Sequence, residues 1–519
     1  MPKSQVEGRT DVQQNAGLAV NKDRTYSVIY ALLLAMSIGI WLLPIRSGLS
    51  LDETGSYWQI SAGFSHIWSR GSISLCFPTY PYILWLATKV LGTSEIALRI
   101  PSVLAMLGAV YLLYLAGREL FGRDAGIFTA IAFSIHYIVA FAAVDTRPYA
   151  FAALATNAAI LALLRLRNDD SNRGAALFGV LAASILYFHF LFATIFPAFI
   201  VCFFLIKAGE RKVVWRQFGI ATMAIAVCFL PLIPGIEYLF QTRASHVYEK
   251  APRVSEAIET LFPGWSRATI AGAAVILLLL FLARKRRQTS AQSQLPWQDA
   301  TRPLLACASL GLIPLLILYA VSRGTSIHMF AERHRLVAIP GIALCWGFII
   351  SRIPQHALQL LLCAVFLGGT AYRGVVYYPW RHLPSSKYAL EAVEKNNPQG
   401  SPVPYYSPFI EGDYEPMPAR ESVKDSSLFA PLSYYKLSAP VVPLPRDLNP
   451  ESIRLGSEFL QEATQKHERF LAVGEAPSQK NLDWLKENAS GAFDVRTIGV
   501  YEGMSVLEFT PRAKTDARQ

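Results

Sequence analysis

Two adjacent carboxylates open the loop that follows the first apolar segment of the chain. Asp52 and Glu53 stand only a few residues after that segment ends. Close to a membrane surface, one carboxylate can act as a general base toward a lipid-linked substrate while the second supports it. A solvated helix end would also explain the pair, and neighbouring side chains need not point into one site. Both interpretations stay open on these residues alone.

A second polar group runs from Asp145 to Tyr149, at the end of the third apolar segment. An arginine at such a boundary often only extends its charge to the membrane surface. The predicted topology, however, places this group on the same membrane face as Asp52. We therefore take Asp145 as a candidate catalytic carboxylate, Arg147 as a candidate phosphate ligand and Tyr149 as a candidate substrate contact.

A third group lies in one loop before the tenth apolar segment. Arg323, Arg333, His334 and Arg335 stand within 13 residues, on the face where positive charge is not favoured. An anionic ligand would explain them, because a guanidinium binds phosphate in a bidentate way. We take Arg333 and Arg323 as candidate phosphate ligands and His334 as a candidate substrate contact. Attraction to anionic lipid headgroups, or an ion pair between Arg333 and Glu332, is the alternative.

The composition divides the chain into two kinds of protein. Apolar residues make up 53% of the 519 positions, only 16% are charged, and the mean hydropathy is +0.32. Residues 1–375 carry 13% charged residues and a net charge of +14, whereas residues 376–519 carry 24% and a net charge of −3. These values exclude a purely soluble enzyme, and the 62 aromatic residues exclude a disordered chain. They indicate a membrane block followed by a soluble domain.

The basic residues gather in short clusters between apolar segments, which argues against nucleic acid as a partner. Lysine and arginine are retained on the cytoplasmic side during membrane insertion, so such clusters mark cytoplasmic loops. The most prominent clusters are Arg165/Arg167/Arg173, Lys207/Arg211/Lys212/Arg216 and Arg284–Arg287.

The apolar segments provide for about eleven membrane crossings, since one span needs about 20 residues. The apolar run 174–206 has a basic residue at either end, which requires two crossings with a turn near Tyr187–Phe190. The segment 81–91 is too short to cross and is predicted to lie as an interfacial helix on the outer face. With eleven spans the N-terminus is inside and the tail outside. The predicted spans are 26–45, 100–117, 125–143, 148–164, 174–190, 191–206, 217–236, 268–283, 303–321, 336–351 and 355–372.

The predicted fold is therefore mainly α: a polytopic membrane helical bundle with a C-terminal α/β extracytoplasmic domain. Residues 1–25 form a cytoplasmic tail, 26–375 the membrane domain and 376–519 the soluble domain. In that last domain, 386–396 and 451–466 are predicted helices, and 470–473, 493–500 and 504–509 are predicted strands. Histidine and cysteine spacings indicate neither a metal site nor a disulfide framework, so no metal and no cofactor are expected. His136 and His189 lie in apolar runs and are predicted to be core residues.

The order of the short motifs resembles the dolichyl-phosphate-mannose-protein mannosyltransferase-like family of GT-C membrane glycosyltransferases. That family includes protein O-mannosyltransferases, the lipid A aminoarabinose transferase and rhizobial galacturonosyltransferases. The resemblance covers about residues 26–200, with a looser similarity at Arg333–Pro340. The motifs are, in order, Asp52-Glu53, Pro78–Pro81, Leu91–Glu95, Leu98–Ser102, Leu120–Arg123 and Asp145–Tyr149.

The resemblance implies transfer of a sugar from a polyprenyl phosphate to an acceptor outside the cytoplasm, in the inner (plasma) membrane. It implies that Asp52 is the catalytic acidic residue and Glu53 its neighbour. Where the family usually has Glu before the arginine, this chain has Asp145, one methylene shorter. Where the family has an Arg-Tyr pair, this chain has Arg333 followed by His334. The acceptor is a lipid, glycan or protein hydroxyl.

Other classes of membrane protein remain as alternatives. A transporter or flippase of lipid-linked sugars would be expected to show repeated halves and charges at the membrane midplane, and no internal repeat is visible. A glycan polymerase or ligase would use similar chemistry, and an assembly or sensor protein would use the tail for binding. If Asp52 and Arg333 lie in one outer cavity, a transferase is favoured; opposite sides favour a transporter.

Reporter fusions test the predicted topology. A fusion at residue 290 is expected in the cytoplasm, because it follows the basic cluster Arg284–Arg287, and a fusion at residue 380 outside it. Paired reporters, one active in each compartment, measure this directly. The same location for both fusions would contradict the topology.

Overall fold

The computed structural model describes the greater part of the chain. The described residues are 25–72, 77–207, 210–241, 251–264, 271–272, 274, 297–376, 385–475 and 479–512. The predicted span 268–283 falls almost entirely outside these residues, as does the predicted cytoplasmic tail.

Long apolar helices dominate the chain up to residue 376. Six of the described helices are long and apolar enough to cross a membrane, a bent pair is a seventh candidate, and three shorter apolar helices accompany them. The helices are α1 (Thr25–Trp41), α2 (Leu51–Ser61), α3 (Ile67–Gly71), α4 (Thr79–Leu91), α5 (Glu95–Phe121), α6 (Arg123–Ile135), α7 (Tyr137–Ala143), α8 (Tyr149–Arg165), α9 (Asn172–Phe188), α10 (Phe196–Ile206), α11 (Arg211–Phe229), α12 (Ile233–Gln241), α13 (Val254–Thr260), α14 (Trp297–Gly324), α15 (Glu332–Arg335), α16 (Ile339–Ser351) and α17 (His356–Val376).

The predicted helical membrane bundle is confirmed, although the number of spans is not. Every predicted span other than 268–283 overlaps one of these helices, and the chain is a multi-pass membrane protein. The predicted interfacial segment 81–91 lies in α4, whose 13 residues are too few to cross a bilayer. The total of about eleven spans stays a prediction.

The apolar run 174–206 turns back on itself at His189, as its basic ends predicted. Helix α9 ends at Phe188, and His189 is extended before the chain resumes a helical course. Lys207, after the end of α10, donates from Nζ to the carbonyl oxygens of Leu166 (2.7 Å) and Asp169 (2.9 Å), just before α9 begins. Both ends of the run therefore lie side by side.

His136 produces a sharp bend of 70° between α6 and α7. Its backbone is extended, and its Nδ1 accepts a hydrogen bond from Ile138 N at 3.3 Å, which caps α7. Its Nε2 lies 3.1 Å from the carbonyl oxygen of Thr260. Both ring nitrogens are thus used within the fold, in keeping with the predicted core role of His136.

Residues 385–475 and 479–512 form an α/β domain around a five-stranded sheet. The strands are β1 (Val403–Tyr406), β2 (Val441–Leu444), β3 (Phe470–Glu475), β4 (Phe493–Tyr501) and β5 (Met504–Pro511), in the order β2-β1-β3-β5-β4. β1 is parallel to β2 and β3, whereas β5 is antiparallel to β3 and β4. The helices are α18 (Lys387–Asn396), α19 (Pro431–Tyr434), α20 (Pro450–Lys466) and α21 (Gln479–Ala489).

Side chains that alternate along the strands build one hydrophobic core on each face of this sheet. Tyr405 of β1 belongs to the core covered by α18, and Tyr406 to the core covered by α20 and α21. The predicted α/β class and all five predicted elements are present. β1 and β2 were not predicted, because each is four residues long and contains a proline, Pro404 or Pro443.

Glycine allows α16 to approach α14 closely. A Cβ atom at Gly341 would lie less than 3.0 Å from backbone atoms of Cys307, Leu310 and Gly311. Small residues are common where membrane helices pack, because they let two backbones come together.

Replacing Gly341 by alanine is expected to lower the stability of the protein by about 1–3 kcal/mol, because overpacked backbone atoms must move apart. Gly368→Ala in α17 is the matched control, since a Cβ there meets nothing within 4 Å. Thermal unfolding in detergent should show a lower midpoint for Gly341→Ala only. Equal midpoints for the two variants would contradict the close contact.

Candidate active site

Helix α2 carries both carboxylates of the acidic pair in its first turn, and a capping box fixes where the helix begins. Glu53 N donates to Ser50 Oγ at 3.4 Å, and Ser50 N donates to Glu53 Oε2 at 2.8 Å. Such reciprocal bonds satisfy the free amides at a helix start. Asp52 lies between the two capping residues, so its backbone position is set by this box.

Glu53 and Arg99 form a bidentate ion pair in which neither side chain is exposed. Arg99 Nε lies 2.8 Å from Glu53 Oε1, and Arg99 Nη2 lies 2.6 Å from Glu53 Oε2. The same guanidinium donates to the carbonyl oxygens of Pro44, Ile45, Ser47 and Gly48 at 2.7–3.2 Å. The pair therefore ties α5 to α2 and to the segment that precedes it.

The second polar group is attached to the same pair. Thr146 N donates to Glu53 Oε1 at 3.0 Å, and Arg147 Nη1 lies 3.4 Å from the carbonyl oxygen of Asp52. Glu53 thus accepts from Ser50, Arg99 and Thr146. The turn that carries Arg147 is held against the start of α2. Such proximity agrees with the prediction that Arg147 and Asp52 lie on the same membrane face.

Arg333 brings the third group to Asp52. Arg333 Nη1 donates to Asp52 Oδ2 at 3.0 Å, with 24% and 39% of the two side chains exposed. Both side chains are partly accessible at the surface of the protein, unlike the fully enclosed pair of Glu53 and Arg99. Residues that are 281 positions apart in sequence thus meet at one point.

Glu332, the alternative partner of Arg333 in this loop, forms ion pairs with two other arginines. Its carboxylate pairs with Arg373 of α17 and lies 3.8 Å from Arg335. Arg335 in turn donates to Thr260 Oγ1 at 2.6 Å. These contacts hold the four-residue helix α15, which carries Arg333, in place.

The surroundings separate the two aspartates electrostatically. Partial burial opposes ionisation of Asp52, but the positive charges of Arg147 and Arg333, with a smaller contribution from His334, lower its pKa below the ordinary value. Asp145 is 7% exposed, and burial together with the charge of Glu53 raises its pKa well above the ordinary value. Asp52 therefore releases its proton far more readily than Asp145.

Aromatic and imidazole rings lie on one side of this cluster. The rings of His189 and His334 are 5.5 Å apart, and those of His189 and Tyr149 are 4.9 Å apart. His334 is further oriented by Nδ1, which lies 2.9 Å from the carbonyl oxygen of Met329. Tyr149 and His334 thus lie together as substrate candidates, and His189, which was assigned to the core, joins them.

The structure does not bring Arg323 into the cluster. Arg323 is exposed at the end of α14, and no hydrogen bond or ion pair among the described residues joins it to Asp52 or Arg333. Arg99, conversely, belongs to the Leu98–Ser102 motif and was not predicted as a site residue. Its charge within a membrane helix was the signal that could have identified it, because such residues are costly there unless they are paired.

The assembled cluster contains one readily ionised carboxylate, two guanidinium groups beside it, and the rings of Tyr149, His189 and His334. A carboxylate in this setting can accept a proton from a hydroxyl, and the guanidinium groups can bind a phosphate. Among the described residues, no three His, Cys, Asp or Glu side chains are grouped so that they could hold a metal ion.

Three solved structures with a similar course of the chain are remote in sequence. ArnT from Cupriavidus metallidurans, bound to undecaprenyl phosphate, is 13% identical with a TM-score of 0.46, over 94% of this chain and 99% of that one. The Archaeoglobus fulgidus oligosaccharyltransferase tethered to an acceptor peptide is 10% identical with a TM-score of 0.47, over 93% and 74%. The mycobacterial arabinofuranosyltransferase AftD is 14% identical with a TM-score of 0.47, over 93% of this chain but only 41% of AftD.

A family comparison gives a positive result for the central part of the membrane domain. No curated protein matches the chain. A family model described as dolichyl-phosphate-mannose-protein mannosyltransferase matches residues 77–238, the region that contains Arg99, the Asp145–Tyr149 turn and His189. The resemblance is thereby confirmed for the motifs from Pro78 to Tyr149: residues 77–238 match the dolichyl-phosphate-mannose-protein mannosyltransferase family, whereas Asp52, Glu53 and Arg333 lie outside the match.

Proposed function

We propose that the chain is an inverting glycosyltransferase that moves a sugar from a polyprenyl-phosphate donor to an extracytoplasmic hydroxyl. The observation that carries the proposal is the contact between Asp52 and Arg333 at 3.0 Å, which joins a proton acceptor to a phosphate ligand. The family pattern at residues 77–238 supports a lipid-phosphate sugar as the donor. The acceptor is a hydroxyl of a lipid, glycan or protein, in or on the inner membrane.

Asp52 is the general base in this mechanism. Its lowered pKa keeps it ionised at neutral pH, so it can take the proton of the acceptor hydroxyl as the oxygen attacks the anomeric carbon. The bond between that carbon and the lipid phosphate breaks in the same step. One displacement inverts the configuration at the anomeric carbon.

Arg333 and Arg147 bind the departing lipid phosphate. Both lie against Asp52, and positively charged groups stabilise the negative charge that develops on the leaving oxygen. Arg333 exchanges its contact with Asp52 for the phosphate when the donor enters, which frees the carboxylate for the acceptor.

The other two carboxyl groups have supporting roles. Glu53 is enclosed by three donor residues, so it positions Asp52 rather than exchanging protons. Asp145, with its raised pKa, holds its proton more readily and is suited to donate a hydrogen bond to the donor sugar or phosphate.

A transporter or flippase is disfavoured by the same geometry. The charged residues that meet at Asp52 come from helix ends and loops, whereas a transporter binds its substrate near the middle of the membrane. Asp52 and Arg333 are in contact, whereas a transporter was expected to have them on opposite sides.

Replacing Asp52 by asparagine is expected to abolish sugar transfer, because the side chain keeps its size but loses its basicity. General base catalysis typically contributes about 100- to 10,000-fold. In a deletion strain, wild-type protein should restore the missing glycan seen by mass spectrometry, whereas Asp52→Asn should not, at equal protein level. Asp124→Asn, an exposed aspartate at the start of α6, is the isosteric control. Near-normal transfer by Asp52→Asn would move the base elsewhere, first to Asp145.

Replacing Arg333 by lysine is expected to raise the Michaelis constant for the lipid donor and to slow leaving-group departure. Lysine keeps the charge but loses the bidentate hydrogen bonds to phosphate. The Michaelis constant for the acceptor should change little. Steady-state kinetics in proteoliposomes, with donor and acceptor varied separately, measure both constants.

Arg323→Lys is the matched control for that experiment, since Arg323 is exposed and outside the cluster. Its donor kinetics should equal those of the wild type. An equal defect in both variants would restore the sequence-based assignment of Arg323 to the phosphate site. Wild-type donor kinetics for Arg333→Lys would remove Arg333 from it.

A further inference from the structure

The C-terminal α/β domain contacts the segments that carry the candidate base. Its residues reach the start and the middle of α2, the helix α3, and the beginning of α5. The polar contacts are Tyr435 with Leu49 (2.6 Å), Asp425 with Trp58 (3.0 Å) and Arg70 (3.3 Å), Tyr434 with Thr93 (2.9 Å), and Lys387 with Glu95 (2.9 Å).

Among these contacts, the one made by Tyr435 is nearest to Asp52 in sequence. The backbone N–H of Leu49, a fully buried residue, donates to Tyr435 Oη at 2.6 Å. Leu49 immediately precedes Ser50, the residue that caps α2, and is three positions from Asp52. The hydroxyl of Tyr435 therefore holds the backbone at the point where α2 begins.

Gly48, one residue earlier, is in close contact with the same domain. A Cβ atom at this position would lie 2.5 Å from Ser385 Oγ and 3.1 Å from Lys387 Cβ, so only glycine fits without displacement. The carbonyl oxygen of Gly48 also accepts from Arg99. The C-terminal domain thus abuts the segment that Arg99 holds beside Glu53.

A second contact holds α2 further along. Trp58 Nε1 donates to the carbonyl oxygen of Asp425, and the guanidinium of Arg70 lies 4.6 Å from the centre of the Trp58 ring while it pairs with Asp425. Helices as short as α2, with 11 residues, are not stable by themselves. Its placement therefore depends on what holds its two ends.

We propose that the C-terminal domain is a working part of the active site, with Tyr435 as a positioning residue that fixes the start of α2 and so aims Asp52 at Arg333 and Arg147. This inference rests on the proposed function, because it assigns Asp52 the role of base. It differs from a domain that only packs on the membrane block, since a packing domain affects the amount of folded protein and not the properties of Asp52.

The proposal predicts a specific change in pH dependence. When α2 is less well fixed, Asp52 lies farther from the cations that lower its pKa, so its pKa rises and the acidic limb of the rate profile moves to higher pH. The titratable and charged groups that face Asp52 are Arg147, Arg333, His334, Asp145 and Tyr149, with Glu53 beside it on α2.

The test compares two adjacent tyrosines. Tyr435→Phe removes the oxygen that accepts from Leu49, whereas Tyr434→Phe removes a hydroxyl that binds Thr93. We expect kcat to fall about 10- to 100-fold in Tyr435→Phe, the size of effect that small misplacements of a catalytic group produce. The donor Michaelis constant should stay the same and the acidic limb should move upward. Tyr434→Phe should keep the wild-type kcat and profile.

Steady-state kinetics of the full-length protein in proteoliposomes give all three readouts, in a pH series that extends low enough to include the acidic limb of the wild-type profile. A wild-type kcat and pH profile for Tyr435→Phe would overturn the inference, and so would equal losses in both variants. Asp52→Asn, assayed in parallel, keeps the two proposals apart: full activity in that variant refutes the proposed base and not the contact of the domain.

A third variant covers the case in which Tyr435→Phe does not fold. Trp58→Phe keeps an aromatic ring and removes the N–H that binds Asp425. A lower kcat with the acidic limb moved upward supports the inference. An unchanged profile overturns it.

Discussion

The enclosed ion pair between Glu53 and Arg99 is the interaction on which the candidate site depends. Neither side chain is exposed, and separating such a pair leaves a charge without compensation inside the protein, at a typical cost of about 3–5 kcal/mol. Through it, helix α5 holds the segment before α2, the capping box of α2 and the turn at Thr146. Three pieces of chain are fixed by one guanidinium and one carboxylate.

This arrangement explains why two adjacent carboxylates have different properties. Glu53 points inward to Arg99. Asp52, the residue before it on the helix, therefore points in another direction and contacts Arg333. The pair of Glu53 and Arg99 is enclosed and rigid. The pair of Asp52 and Arg333 is partly exposed and can exchange partners. Glu332 pairs with Arg335 and Arg373, and these ion pairs fix the backbone next to Arg333 as the pair of Glu53 and Arg99 fixes the backbone next to Asp52.

The two halves of the chain, so different in composition, are joined at this same place. The soluble domain contacts Leu49, just before α2, Trp58 within α2, and Thr93, just before α5. A helix as short as α2 is not stable alone and has to be held at its ends by bonds to other parts of the chain. A folded domain with polar side chains supplies those bonds.

The sequence by itself determined the membrane helices, the turn at His189, the α/β class of the tail and the three groups of polar residues, because these follow from local periodicity, charge and composition. It could not determine which carboxylate of the pair is enclosed, that Arg333 meets Asp52 rather than Glu332, or that Arg323 stays outside. Strands β1 and β2 were not predicted from the sequence, and neither was the position of His189 beside Tyr149 and His334. Those outcomes depend on contacts between residues up to 386 positions apart, and only the tertiary packing of the helices decides which side chains meet.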